Sequence, residues 1–86
     1  MTKRANSTQS ILNEVQVEMA HAVAKGYTPE HDDEHTVAHF IEESAYRLTR
    51  LVDEQERTPE AVRMEMIKTI GILVAGVARH DREHSA

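Results

Sequence analysis

An all-α fold is what this chain predicts, and three observations carry that expectation. Apolar residues recur at helical spacing through three long stretches. The residues between them are of the helix-stop and helix-start kind, and no period-two alternation or hairpin turn signal interrupts the pattern. The composition then limits the fold. The 86 residues are 40% hydrophobic but only 3% aromatic, and without cysteine there is no disulfide framework or thiolate metal site. A chain this short buries only about 60–65% of its unfolded surface. The expected architecture is an antiparallel three-helix bundle, a single domain over residues 8–82, whose thin core is completed by homo-oligomerisation.

Residues 1–7 are polar and aperiodic and are expected to be disordered; residues 83–86 are expected to form a loose tail. Ile11, Leu12, Val15, Met19, Ala22 and Val23 share one stripe, with Glu14, Glu18 and His21 off it, which predicts a helix over 8–25. Gly26 ends it by supplying a positive-φ position. Two Thr-Pro-Glu triplets follow, Thr28-Pro29-Glu30 and Thr58-Pro59-Glu60. In each, Thr is suited to the N-cap, Pro to the first helical position and Glu to the positive end of the helix dipole. The acidic and histidine-rich stretch after the first triplet reads as a connector with one turn, and the second long helix starts near Thr36.

That second helix is expected to reach about Glu56, with Val37, Ile41, Ala45, Leu48 and Val52 along its core face. The third runs from Pro59 to about Arg82 and is apolar nearly all round between residues 70 and 78. A helix apolar on every side is normally covered on every side, and two partner helices cannot do that. Ile70, Gly71, Ile72, Val74 and Ala75 are therefore candidates for an interface with a second subunit, in a dimer or tetramer.

Charge excludes some functions. Fifteen acidic against ten basic side chains give a formal net charge of −5, which argues against a nucleic-acid partner. No apolar run approaches the ~20 residues of a membrane span. The basic pair Lys3-Arg4 has no apolar run behind it, so no signal peptide is read and a cytoplasmic location is expected. There is no Ser/His/Asp arrangement, Walker loop or dinucleotide fingerprint.

Two constellations could carry chemistry. His31, His35 and His39 are spaced four apart, with Glu42 and Glu43 just beyond. Such a set can hold a divalent ion if the helix is continuous, and is otherwise a solvated polar segment. Glu43 and Glu65 sit mid-helix on neighbouring helices and could share a hard cation such as Mg²⁺, with Glu42, His35 and His39 as further candidate ligands. Among the basic residues, Arg47 and Arg50 can pair with Glu43 and Glu54, Lys68 with Glu65 or Glu60, and Arg79 with Glu83.

Residues 26–35, Gly-Tyr-Thr-Pro-Glu-His-Asp-Asp-Glu-His, resemble a signature of small bacteriophage and prophage proteins, which implies no set activity. Phe40-Ile41-Glu42-Glu43-Ser44-Ala45-Tyr46, followed by Arg63-Met64-Glu65-Met66-Ile67-Lys68, resembles the helical hairpin of MazG-like proteins, related to all-α nucleoside triphosphate pyrophosphatases. That resemblance implies an acidic Mg²⁺ site, with Glu43 and Glu65 as the first acid of each pair. Tyr46 and Lys68 stand where the second acids belong. The expectation is thus an accessory or host-interaction module, meeting a host protein in the host cytoplasm, with absent or altered hydrolase activity. The alternative is a Mg-dependent, nucleotide-binding pyrophosphohydrolase.

Overall fold

A computed structural model describes residues 7–54 and 57–85, and the expectation for residues 1–6 lies outside them; the second long helix stops at Asp53, capped at Glu54, short of the expected Glu56. The fold is all-α, with helices α1 (Ser7–Ala24), α2 (Pro29–Asp32), α3 (Val37–Asp53) and α4 (Pro59–His84) and no strand among the described residues.

The caps fall where the triplets place them. Thr28 accepts the His31 amide and Thr58 the Ala61 amide, and each is followed by proline inside the first turn. Thr36 caps α3 by accepting the His39 amide, so the polar segment is one turn, a break and then a new helix. Gly26 has φ +106°, a value that ends α1 and that few other residues adopt. α4 runs two residues past the predicted Arg82, and its last turn carries Arg82 and His84, which suit the negative end of the dipole.

α4 is the spine. α1, α2 and α3 all pack on it, whereas α1 and α3 share no packed contact. α3 meets α4 at Phe40, whose Cβ lies 2.9 Å from where a side chain at Gly76 would begin. The absence of a Cβ at Gly76 is what lets the two helices come this close. At the other end of α3, Arg47 reaches Glu65 near the start of α4. α1 lies along α4 through Met19, packed at Gly71, and through the two-pronged pairing of Arg63 with Glu14. Arg82 pins the turn after α2 by donating twice to Asp33 Oδ1, at 2.7 and 3.0 Å.

The core this creates is small. Among the described residues, Val15, Phe40 and Ile67 are the buried hydrophobic side chains, with Ser44 and Thr69 beside them. α3 differs from its sequence reading. The face expected to be buried is mostly outside: Ile41 is 58% exposed, Leu48 44% and Val52 72%. The helix turns Phe40 and Ser44 inward instead. The notch at Gly76 accepts the Phe40 ring, and a cross-helix ion pair fixes the same rotation from Arg47. α4 is similarly one-sided, burying Ile67 and Thr69 while Met66, Leu73 and Val77 stay exposed.

Candidate functional site

Glu43 and Glu65 do come together, and the group between them is Arg47. Glu43 and Arg47 are one turn apart on α3, and Arg47 Nε donates to Glu43 Oε2 at 3.1 Å. Its Nη1 donates across to Glu65 Oε2 at 2.5 Å. Arg57 approaches the other side of Glu65, Nη1 to Oε1 at 3.8 Å. Burial works against the Arg47 charge, but the bonds from Glu65 and Glu43 outweigh it and hold its pKa above the ordinary arginine value. The network continues through Glu54, which accepts from Arg57 at 2.8 Å and from Arg50 at 3.0 Å. These two bonds keep the Glu54 carboxyl below its usual range.

The remaining positions of the acidic hairpin lie apart from this pair. Tyr46 is exposed, with the Arg50 guanidinium 5.7 Å from its ring centre. Lys68 makes no ion pair among the described residues, with neither Glu65 nor Glu60. Glu42 is exposed and likewise unpaired among them.

The histidines form a ladder. From Tyr27 the ring centroids step 5.2 Å to His31, 5.0 Å to His35, 4.3 Å to His39 and 5.7 Å to Phe40. His35 and His39 are near parallel, at 17°. Stacked, near-parallel rings do not aim two nitrogens at one point, which is what chelation of one ion requires. Among the described residues no group of three or more His, Asp or Glu side chains converges as metal ligands. Arg79 Nε donates to the His35 carbonyl at 3.1 Å and so ties the break between α2 and α3 to α4. The Nδ1 of His31 is shielded from solvent and has no hydrogen-bond partner.

The ladder, α1 and α4 enclose a cleft of about 690 Å³. Gly71, Ile72, Ala75 and Ala78 of α4 line it, with Met19 and Ala22 from α1 and the rings of His31, His35, His39 and Phe40. It also takes Lys25, Arg47, Lys68 and Arg82 against Glu18, Asp32 and Glu43. Of the interface candidates, Gly71 is buried against Met19, Ile72 and Ala75 line the cleft, Ile70 is half-buried and Val74 is 42% exposed.

Sequence spacing foresaw the pairs Arg47–Glu43, Arg50–Glu54 and Arg79–Glu83, all at i,i+4. It missed the cross-helix ones, Arg47–Glu65, Arg63–Glu14 and Arg82–Asp33, because these depend on how helices cross rather than on spacing along one helix. None of the described helices is long and apolar enough to cross a membrane. The chain matches no protein-family model, no curated protein and no solved structure.

Proposed function

We propose that this chain is a non-hydrolytic helical module that works as a homo-oligomer, a phage-type accessory or host-interaction protein on a MazG-like hairpin. The observation that carries the reading is a pair of apolar seams left uncovered. Ile41, Ala45, Leu48 and Val52 of α3 follow a 4-3-4 spacing, and so do Met66, Ile70, Leu73 and Val77 of α4. This is the spacing by which two helices interdigitate along a shared seam. Six of these side chains, Ile41, Leu48, Val52, Met66, Leu73 and Val77, are between 42% and 72% exposed, and none lines the cleft. With α3 and α4 antiparallel, both seams share one side of the hairpin, and two copies related by a two-fold axis would meet there as a four-helix bundle.

The Arg47 bridge supports the absence of hydrolysis. In a MazG-like hairpin the acids of the two helices hold Mg²⁺, which would stabilise charge on a phosphoryl group under attack by water. Here the Arg47 guanidinium bonds to both Glu43 and Glu65 and offsets one of their two charges, with Arg57 3.8 Å from Glu65 on its other side. A second cation at the same oxygens would have to displace it, and Lys68 adds a positive charge where an acid is expected.

Sedimentation velocity tests the reading. The wild-type chain is expected to be a dimer or tetramer without added metal, and Leu48→Glu combined with Leu73→Glu is expected to be a helical monomer. A monomeric wild type at high micromolar concentration would overturn it. The alternative, a Mg-dependent nucleotide pyrophosphohydrolase, rests on the convergence of Glu43 and Glu65. It requires Mg²⁺ with a nucleoside triphosphate to raise the melting temperature of the wild type.

A further inference from the structure

The cleft lies away from the two seams, so an oligomer that covers the seams leaves it open. Its charge is opposite in sign to the chain as a whole. The protein carries 15 acidic and 10 basic side chains, yet the cleft is lined by four Lys or Arg and three Asp or Glu. Several of these charges are already satisfied. Arg47 is held by Glu43 and Glu65 and Arg82 by Asp33, whereas Asp32 and Glu18 each lie 3.7 Å from a histidine Nδ1, of His31 and His21. Lys25 and Lys68 are different: neither ammonium has an ion-pair or side-chain hydrogen-bond partner among the described residues.

The other surfaces of the cleft fit the body of a small molecule. Its volume of about 690 Å³ falls within the range of small-molecule sites, about 300–1,000 Å³. The floor of Gly71, Ile72, Ala75 and Ala78 is a strip of small and aliphatic side chains. The faces of His35 and His39 are turned on each other, so this pair offers ring edges, with their nitrogens, to whatever lies alongside. His31 Nδ1 is shielded in the same wall and makes no hydrogen bond, with Asp32 Oδ1 3.7 Å away. A second protein copy is a poor occupant, since it would desolvate the lysines and carboxylates for little apolar gain. A metal cation is poorer still beside two uncompensated ammonium groups.

We propose that this cleft binds a small organic anion, a carboxylate- or phosphate-bearing molecule with a flat apolar body. The body lies on the Gly71–Ala78 strip, Lys68 and Lys25 hold the charge, and the imidazole edges supply hydrogen bonds. The site does not depend on the self-association reading, because it uses none of the seam residues.

The test is a titration of the full chain with 1-naphthoate, 1-naphthyl phosphate and neutral 1-naphthamide, followed by backbone amide NMR shifts. At least one anion should saturate, with shifts clustered at Gly71, Ile72, Ala75 and Ala78. The amide should bind about tenfold or more weakly, the loss expected when a charge-assisted hydrogen bond goes unmade. The tighter of the two anions tells a carboxylate ligand from a phosphate one. Lys68→Met should lower affinity about tenfold with an unchanged helical spectrum. Lys25→Met is the second variant should Lys68→Met lose helix. Failure of both anions to saturate, equal binding of the amide, or shifts confined to Met66, Leu73 and Val77 would each overturn the proposal.

Discussion

Replacing Gly76 with alanine tests the packing of α3 on α4 where Phe40 meets it. The new Cβ would stand 2.9 Å from Phe40 Cβ and 3.3 Å from Phe40 Cγ. Carbon atoms pack best at about 3.5–4.0 Å, so the helices must part by roughly half an ångström or more. No rotamer change relieves this, because the Phe40 Cβ is fixed to its own backbone. Overpacking of this kind costs about 1–3 kcal/mol. Alanine returns about 0.5–1 kcal/mol of helix propensity. The net expectation for Gly76→Ala is a loss of up to about 2.5 kcal/mol. In a domain of this size each kcal/mol is worth about 4–8 °C of Tm. Gly71→Ala is the control. Its Cβ would meet Met19 Cγ at 3.3 Å, a flexible side chain that can move aside, so the propensity gain should survive. Urea unfolding followed by circular dichroism, at one fixed protein concentration, measures both. A Gly76→Ala protein as stable as Gly71→Ala would refute the close approach of Phe40 to α4.

Further outcomes follow from other contacts. Arg47→Gln leaves Glu43 and Glu65 facing each other without their shared cation; stability should fall by about 1 kcal/mol in urea unfolding, and Mg²⁺ alone should raise the Tm of this variant but not of the wild type. Acid should destabilise the fold in a set direction. Bonds from Arg63 hold the Glu14 carboxyl below its ordinary pKa, and bonds from Arg57 and Arg50 do the same for Glu54. A depressed folded-state pKa gives stability that is present above the unfolded value of about 4.3 and lost as pH drops through the folded one. Thermal melts should therefore decline below about pH 4, and a Glu14→Gln, Glu54→Gln protein should show a shallower decline. Gly26→Ala has open space around its Cβ but a backbone at φ +106°, so a loss of about 1–2 kcal/mol in urea unfolding would come from strain alone.

Helix placement was legible because its determinants are local. A capping threonine, a proline at the first turn and a terminal glycine act within a few residues, and α1, α3 and α4 begin or end where those residues stand. The break before Thr36 was legible for the same reason. Which face of α3 turns inward was not. Ile41, Leu48 and Val52 are the more apolar choice, but Phe40 faces α4 because Gly76, 36 positions further along the chain, leaves room for its ring. No pattern within α3 could carry that information. The acidic pair was half legible: spacing placed Arg47 beside Glu43, whereas the reach to Glu65 depends on the crossing of two helices. The cleft was not legible at all, since its residues come from α1, α2, α3 and α4 together.

The order of the helices along the chain has a consequence for how the protein is made. Every packed contact between helices passes through α4, the last of the four in the chain. On a ribosome, α1 and α3 therefore emerge with no surface to dock on, and helices of 18 and 17 residues alone in water are only marginally stable. Their apolar residues then have no packing partner among the described helices until Pro59–His84 has been translated. Docking of both earlier helices is therefore expected to wait for α4, the template they share.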